Sequence, residues 1–504
     1  MPAIDFTLNG TPVSVPADGC SLLDALRDRL HVHSPKDGCS PQGQCGCCTV
    51  WVDGQPRVAC VTPAARVAGR AVTTVEGLPA ADEWAQQLCA TGGSQCGFCT
   101  PGIVMRLAGL AREQRTDAAV RQALLAHLCR CTGWNSVVAA ACSPVAVDGR
   151  RDLDAAARRA GLEGGVAQAV APMVALGQGG FAADTAPDDA LVAVRDGGGQ
   201  WVVAETLYEA RRLAGKVQGR RTTVPLQWPI EVPPGDWART LQTTWVEPAY
   251  LEPDAAWCMP GGTPVGPLAN GGAFGGKAAT SEVAEVAQRL AGQHGRAVLA
   301  VYSREDVVRR GPKRPPIAAG VRADGTGVIR VARTPGIAAV IASVAPGLEV
   351  HEVDVIGPPT SVQVRAAGWA EAAVLLHDPG QWVVAPGGGR ARAEVRADGA
   401  VHVEVACGAV LDEVVLRSYC VGAAHMALGW VRHEGIAVGD DGVPLDLTIR
   451  SFGVVRAVDT PAIEVHIAAE DGPPVNGSDA VFAAVAAAAW RHDGLPGRWP
   501  TMRA

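Results

Sequence analysis

The 504-residue chain has 48% apolar and 19% charged residues and a formal net charge of −7, the balance of a globular protein with several domains. An acidic chain argues against nucleic acid as a partner, because phosphate binding needs a basic surface. No apolar run reaches the roughly 20 residues that cross a bilayer, and the start, MPAIDFTLNG, lacks the charged and apolar regions of a signal peptide. We therefore expect a cytoplasmic protein without a membrane partner.

Residues 1–78 predict a small β-rich unit. Asn9-Gly10 and Asp53-Gly54 each lie between alternating apolar residues, which is a hairpin signal. Ser21, with Asp24 three residues later, predicts a capped helix over SLLDALRDRL.

Residues 79–145 change to helical periodicity. Thr100 is the predicted N-cap and Pro101 the first residue of a helix through GIVMRLAGLAREQ. A second helix is predicted through DAAVRQALLAHL.

Three further regions follow. Residues 146–175, rich in Ala, Gly and Arg, predict a connecting segment that is partly helical. Residues 176–228 predict a small α/β unit of strand, glycine turn, strand and helix. Residues 229–504 show repeated strands, glycine loops and two clear helices, at 281–292 and 480–490.

Fifteen cysteines suggest metal binding. Eleven of them lie between Cys39 and Cys142, mostly in short clusters. In a reducing compartment a disulfide framework is not expected, so clustered thiols indicate metal ligands.

The first cysteine quartet is Cys39, Cys45, Cys48 and Cys60. A plant-type [2Fe-2S] site presents three thiolates from one loop with spacing C-x4-C-x2-C and a fourth later. Here the first gap has one more residue, which a glycine-rich loop can accommodate, and Cys47 is a spare thiol between ligands.

The second quartet is Cys96, Cys99, Cys129 and Cys131. One pair precedes a predicted helix and the other follows one, so two antiparallel helices can bring the four thiolates together. Structural zinc, which also uses C-x2-C pairs, is the alternative for either quartet, although the C-x-C pair and the ferredoxin-like context favour iron–sulfur clusters.

The run GCSPQGQCGCCTVWVDG, VAC, TTVEGL, QCGFCTPG and LCRCTGW resembles the iron–sulfur portion of the molybdenum hydroxylases, the xanthine oxidase and aldehyde oxidoreductase family. The resemblance implies two [2Fe-2S] clusters, the Cys96 cluster beside a molybdenum cofactor and the Cys39 cluster nearer the electron acceptor. It also implies that Gln95 hydrogen-bonds the pterin.

The implied fold is α+β and multidomain. It comprises a β-grasp, plant-type ferredoxin domain at 1–78 and a four-helix-bundle-like [2Fe-2S] domain at 79–145. A linker at 146–175 precedes a small α/β domain at 176–228, and a reduced α+β molybdopterin-binding domain occupies 229–504.

A glycine loop with the sequence GGAFGGK resembles the family's molybdopterin motif. Its glycines would let backbone N–H groups approach a phosphate or the metal's oxo ligand, although a nucleotide loop would look similar. The resemblance implies that the cofactor-binding residues are Gly271, Gly272, Phe274, Gly275, Gly276 and Lys277. Ser281 and Glu282 then open the predicted helix.

Two departures concern the catalytic centre. Only 18 residues separate Pro253 from Gly272, where the family has a longer segment that carries a glutamine near the metal. The family's catalytic Glu aligns with Ser478, and Asp479 follows it. Asp479 is therefore the candidate base, and the alternative is that Ser478 or Asp479 serves as the N-cap of the Ala-rich helix.

The remaining polar residues predict no further site. His31, His33, His351 and His425 have no ligand partners at regular spacing. The Arg-rich stretches near 150 and 309 predict solvated faces. The other cysteines predict small buried side chains, and these are Cys20, Cys89, Cys142, Cys258, Cys407 and Cys420.

Two functions follow from the resemblance. The first is a hydroxylase that oxidises an aldehyde or N-heterocycle, a small-molecule substrate, with oxygen from water and sends electrons through both clusters. The second is an electron-transfer or assembly subunit with a catalytically inert molybdenum region. No flavin-binding stretch is evident, so a separate FAD subunit or a soluble acceptor would take the electrons. Members of the family are commonly dimers, which makes a homodimer an expectation.

Overall fold

The computed structural model describes residues 2–143, 145–146, 149–216, 219–266, 271–277 and 282–502. Residues 2–78 form a mixed sheet of order β2-β1-β5-β3-β4, in which β1 and β5 are parallel. Its elements are β1 (Ala3–Leu8), β2 (Thr11–Pro16), α1 (Leu22–Asp24), β3 (Thr49–Val52), β4 (Gln55–Val58) and β5 (Ala71–Thr73). Both predicted hairpin turns are confirmed, because Asn9, Gly10, Asp53 and Gly54 all have positive φ, as a type I′ turn requires.

The capping box at Ser21 is also confirmed. Ser21 Oγ accepts from the Asp24 N–H at 3.2 Å, and the Asp24 carboxylate accepts from the Ser21 N–H at 3.0 Å. The helix is shorter than predicted, since α1 passes into a π-helical turn at Ala25–Arg29.

The next region is helical. Its helices are α2 (Ala81–Thr91), α3 (Thr100–Ala108), α4 (Asp117–Ala123) and α5 (Asn135–Cys142). The predicted N-cap at Thr100 is wrong by one residue: Cys99 holds that position, and the Thr100 hydroxyl bonds to Ser94 at 3.1 Å.

The segment between the helical region and the next sheet packs into the protein. It contains α6 (Leu153–Gly164), α7 (Pro172–Ala175) and α8 (Ala182–Thr185). Asp152 caps α6 by accepting from the N–H groups of Asp154 and Ala155, and Arg159 and Glu163 on this helix are fully buried.

The small α/β unit shares its sheet with later residues. Its own elements are β6 (Leu191–Arg195), β7 (Trp201–Ala204) and α9 (Leu207–Leu213), which are followed by β8 (Arg239–Gln242), β9 (Ala255–Cys258), α10 (Val283–His294), β10 (Val298–Val301) and α11 (Arg304–Arg310). The sheet order β7-β6-β10-β9 means that a boundary at 228 divides one sheet. A two-stranded hairpin is marginal alone, so β6 needs β10, its parallel partner far along the chain.

Two more sheets complete the C-terminal region, with orders β13-β12-β11-β8 and β14-β15-β16-β17. Their elements are β11 (Ile317–Val321), β12 (Gly327–Ala332), α12 (Ile337–Val344), β13 (Leu348–Val353), α13 (Trp369–Leu376), β14 (Val383–Val384), β15 (Arg390–Val395), β16 (Val401–Ala406), α14 (Glu413–Arg432), β17 (Ile463–Ile467) and α15 (Ser478–His492).

The long helix α14 was not predicted from the sequence. By length and composition it could cross a membrane, but 89% of its apolar window is buried inside the protein, as in a core helix. It packs against α15 in the C-terminal core. The predicted helix at 480–490 corresponds to α15, and that at 281–292 to α10; Ser281 lies outside the described residues.

Candidate iron–sulfur sites and the glycine loop

The first cysteine quartet lies on the loop before β3 and on the turn after β4. Cys39, Cys45, Cys48 and Cys60 are all buried, and the Cys39 thiol contacts those of Cys45 and Cys60. Two backbone N–H groups point at sulfurs of the quartet: that of Gln42 lies 3.1 Å from Cys39 Sγ, and that of Cys60 lies 3.4 Å from Cys48 Sγ. This arrangement of buried thiols and N–H donors fits a [2Fe-2S] cluster.

The second quartet lies between α2 and α3 and in the loop before α5. Cys96 Sγ is 3.6 Å from Cys131 Sγ, and Cys129 contacts both Cys99 and Cys131. The Thr132 hydroxyl lies 3.2 Å from Cys129 Sγ. All four thiols are buried.

The spacing of the sulfurs bears on whether a quartet would hold a cluster or a single zinc ion. Around tetrahedral zinc every pair of sulfurs is about 3.8 Å apart, given a Zn–S bond near 2.3 Å. Among the described residues, which include every cysteine, no three sulfurs lie within 4.8 Å of one another. In each quartet the sulfurs therefore contact one another in pairs, an arrangement more open than four ligands around one zinc ion.

The two quartets are linked directly. The Leu128 N–H donates to the Cys45 carbonyl oxygen at 3.0 Å, and Leu128 precedes Cys129. The spare thiol of Cys47 is fully buried and close enough to Cys129 and Cys99 to interact with them electrostatically. One connection between the quartets thus passes through Cys45, Leu128 and Cys129.

The glycine loop at 271–277 contacts the second quartet. A Cβ on Gly272 would lie 3.2 Å from Cys131 Sγ, and one on Gly275 would lie 1.7 Å from the Gln363 carbonyl oxygen. Lys277 forms an ion pair with buried Glu252. The glycines therefore allow close approach to the protein's own backbone and sulfur.

Gln95, the residue expected to hydrogen-bond the pterin, lies beside the second quartet. Its side-chain amide donates to the Cys131 carbonyl oxygen at 3.1 Å and to Ser418 Oγ at 3.0 Å. Gln95 Oε1 is buried and has no hydrogen-bond partner in the described part of the chain. One acceptor is thus left for a further group.

The candidate base Asp479 is held by an arginine. Arg365 Nε donates to Asp479 Oδ1 at 2.9 Å, and another nitrogen of the same guanidinium donates to Ser478 Oγ. Arg365 also stacks on Phe274 of the glycine loop, 4.4 Å from the ring centroid. The structure therefore brings Asp479 and the loop together, but Arg365 lies between them.

Neither Ser478 nor Asp479 caps α15, so that prediction is wrong. Gly477 holds the N-cap position, and the carboxylate of buried Glu163 accepts from the N–H groups of Gly477 and Ser478, at 3.1 and 2.8 Å. Glu163 lies 315 positions before Ser478 in the chain, and Asn476 adds a local cap, since its side-chain oxygen accepts from the Asp479 N–H at 2.9 Å.

A small cavity lies beside the loop. The cavity bounded by Arg130, Glu247, Ala273, Arg365, Met426 and Glu434 has a volume of ≈ 20 Å³, enough for about one water. Arg130 forms a two-point ion pair with Glu434, and buried Lys313 pairs with Glu247 at 2.9 Å. The charges around this cavity are already neutralised within the protein.

A basic cleft of ≈ 750 Å³ lies next to the first quartet. Six cationic side chains and three anionic ones line it; the cations are Arg195, Lys216, Arg220, Arg221, Arg309 and Arg310. Gln42, whose N–H points at Cys39 Sγ, also donates from its side chain to Glu305 in the cleft wall, at 3.1 Å. The stretch near 309 was predicted to be a solvated face, and here it forms part of this cleft.

Comparison with known proteins adds to the geometry. A family model described as a [2Fe-2S] binding domain matches residues 74–142. The chain is 36% identical over 143 residues to the xanthine dehydrogenase iron-sulfur-binding subunit of Escherichia coli O157:H7, a match that covers 27% of this chain and 89% of that protein. It is 40% identical over 151 residues to the xanthine dehydrogenase of Drosophila subobscura, but spans only 11% of that protein.

The whole chain also resembles a solved structure in fold. The aldehyde oxidoreductase from Desulfovibrio desulfuricans ATCC 27774 superposes with a TM-score of 0.69 over 97% of both chains, at 15% identity. Identity that low shows the fold alone, a mixed α+β architecture. Together with the similarity to the iron-sulfur-binding subunit, it shows that the chain belongs to the molybdenum hydroxylase family of oxidoreductases.

Proposed function

We propose that this chain is a one-electron transfer protein that holds two [2Fe-2S] clusters. The ligands of one cluster would be Cys39, Cys45, Cys48 and Cys60, and those of the other Cys96, Cys99, Cys129 and Cys131. A bound [2Fe-2S] cluster supplies one-electron redox chemistry. The observation that carries the proposal is the hydrogen bond from Leu128 to Cys45, which joins two buried quartets.

The chain's own groups would set how readily each site takes an electron. Hydrogen bonds to ligand sulfur and exclusion of water both influence the reduction potential of an iron–sulfur site. The N–H groups of Gln42 and Cys60 serve the first quartet, and the Thr132 hydroxyl serves the second.

The described residues around the glycine loop offer no unpaired cation to a molybdopterin cofactor. Every cation near the glycine loop already has an anionic partner: Lys277 pairs with Glu252, Arg365 with Asp479, and Arg130 with Glu434. A bound phosphate would compete with these carboxylates or rely on backbone N–H groups of the loop, and Gly272 lies close to the Cys131 sulfur. No catalytic step through molybdenum is derived from this site.

Hydroxylation of an aldehyde or N-heterocycle is the second candidate function. The unpaired, buried Gln95 Oε1 favours it, since a pterin would supply the missing donor. Asp479 would then be the base, although Arg365 already occupies one of its carboxylate oxygens.

The exit for electrons would be the basic cleft beside the Cys39 loop. Its positive surface on an otherwise acidic chain would attract an acceptor with an acidic surface, a soluble protein or a separate FAD subunit. Gln42 connects the cleft wall to Cys39, so an acceptor seated there would lie next to the first quartet.

Metal analysis of anaerobically purified protein separates the candidates. Electron transfer alone predicts about four iron per chain and no molybdenum, as two two-iron clusters require. Molybdenum together with that iron would overturn our proposal in favour of hydroxylation, and Asp479→Ala should then abolish turnover without changing the visible absorption of the clusters. Zinc without iron would overturn both.

A further inference from the structure

A group of metal-binding side chains lies outside both cysteine quartets. His31, His33 and Asp188 each place one donor atom within 4.8 Å of the other two, and His31 Nδ1 is 3.2 Å from Asp188 Oδ1. Among the described residues, no other three histidine, cysteine or carboxylate donors converge in this way. Since Asp188 is far from the histidines in sequence, the fold itself assembles the group.

The surroundings of His33 suit a metal ligand. His33 Nδ1 is shielded from solvent and has no hydrogen-bond partner in the described ranges. A shielded ring nitrogen without a partner is available as a metal ligand.

The neighbouring cations do not occupy the site. Arg27 donates to the backbone carbonyl oxygens of His33 and Pro35 and forms an ion pair with Asp184, and Lys36 also pairs with Asp184. Both positive charges are thus tied to carbonyls and to Asp184. The Asp188 carboxylate remains the negative group of the cluster, in contact with His31.

The donor set indicates the kind of metal. Two imidazoles and a carboxylate, without thiolate, are ligands of Zn²⁺, and a three-residue zinc site leaves a fourth position for water. The side chains of His31 and Asp188 are 44% and 70% exposed, so water can reach that position. We propose that His31, His33 and Asp188 bind one Zn²⁺ ion.

Such an ion would cross-link two parts of the chain. His31 and His33 follow the helical turn of the ferredoxin-like unit, and Asp188 precedes β6 of the α/β sheet. A metal bound only by the folded arrangement stabilises it, so Zn²⁺ should raise the melting temperature of the cluster-loaded protein.

Isothermal titration of the cluster-loaded protein with Zn²⁺ tests the proposal. We expect one equivalent to bind without loss of the iron–sulfur absorption. Asp188→Asn and His33→Ala should each weaken binding by about tenfold or more, because loss of even a ligand's supporting partner costs about 10–100-fold. The exposed Asp188 makes the first variant safe for folding.

His351→Ala is the matched control, since His351 forms an exposed pair with Glu349 at 2.6 Å but has no third donor. It should bind Zn²⁺ like the wild type. Unchanged affinity in both Asp188→Asn and His33→Ala would overturn the site, as would Zn²⁺ uptake that only accompanies loss of iron.

Discussion

The backbone N–H of Leu128 donates to the carbonyl oxygen of Cys45 at 3.0 Å, so a ligand of one quartet and the neighbour of a ligand of the other share a hydrogen bond. Gly102 packs closely on the backbone of Cys47 near this contact. A Cβ added to Gly102 would lie 2.9 Å from the carbonyl oxygen of Cys47. The ferredoxin-like unit and the helical unit are therefore joined at their cysteines. In the proposed function, electrons would pass between the two clusters through this buried contact.

Cys47 provides a test of the ligand assignment. Cys47 is buried and lies between the two proposed ligands Cys45 and Cys48. The Cys39 sulfur contacts that of Cys45 and the Cys60 sulfur contacts that of Cys48, so the quartet is complete without Cys47. We expect Cys47→Ala to retain about four iron per chain and Cys45→Ala to retain about two. Iron content and electron paramagnetic resonance of the reduced protein measure this.

Cys420→Ala, a buried cysteine in α14, is the control for removing a thiol from the core and should keep all the iron. If Cys47→Ala loses one cluster and Cys45→Ala keeps both, Cys47 is the ligand and Cys45 is not.

Gly422, a residue of α14, provides the second prediction. A Cβ on this residue would lie 1.8 Å from the Cys131 carbonyl oxygen, so the helix can approach the second quartet only with glycine there. Gly422→Ala should lower the free energy of unfolding by about 3 kcal/mol or more, since backbone atoms must move. It should also perturb the resonance signal of the Cys96 cluster more than that of the Cys39 cluster.

Gly292→Ala in α10 is the matched control, because it is helical and exposed and has nothing within 4 Å of the added Cβ. It should raise stability by about 0.5–1 kcal/mol, the helical preference of alanine over glycine. Equal stability of Gly422→Ala and the wild type would contradict the packing of α14 on Cys131.

The sequence was most informative where spacing along the chain determines local structure. The hairpin glycines, the capping box at Ser21 and both cysteine quartets follow from short patterns, and the structure brings each quartet together. The sheet that joins β6 to β10, and the cap that Glu163 provides for α15, depend on residues far apart in the chain. No local pattern encodes them.

The candidate active site shows the same division. The resemblance implied roles for Gln95, the glycine loop and Asp479 at one cofactor site, and these roles stay predictions. In the structure Gln95 and Gly272 lie beside Cys131, and Asp479 is connected to the loop through Arg365. It gave no sign of Arg365, because a single arginine in RAAGW has no recognisable pattern. A guanidinium that stacks on Phe274 and pairs with Asp479 is recognised only in three dimensions.

The buried pair of Arg159 and Glu163 yields a third prediction. Arg159 donates to Glu163 at 3.0 Å inside the protein, and Glu163 also accepts from two N–H groups of α15. Glu163→Ala should lower the free energy of unfolding by about 3–5 kcal/mol, since it leaves a buried, unpaired guanidinium. Chemical denaturation measures it.

Glu413→Ala, which removes an exposed pair with Arg417 at the same sequence spacing, should change stability by no more than about 0.5 kcal/mol. Similar losses in the two variants would show that burial of the Arg159 pair has no energetic consequence.

Charge reversal in the basic cleft tests the exit for electrons. Arg220 and Arg221 are exposed in the wall of the cleft. The same wall contains Glu305, which accepts a hydrogen bond from the side chain of Gln42 in the Cys39 loop. With an acidic one-electron acceptor, Arg220→Glu/Arg221→Glu should lower the second-order rate of cluster oxidation by about tenfold or more at low ionic strength. The difference should shrink as salt screens the charges, and stopped-flow absorption measures it.

Arg333→Glu, at an exposed pair with Asp354 outside the cleft, should leave the rate close to that of the wild type. An equal decrease in Arg333→Glu would indicate that net charge controls the encounter, whereas an unchanged rate in the double variant would place the acceptor elsewhere on the protein.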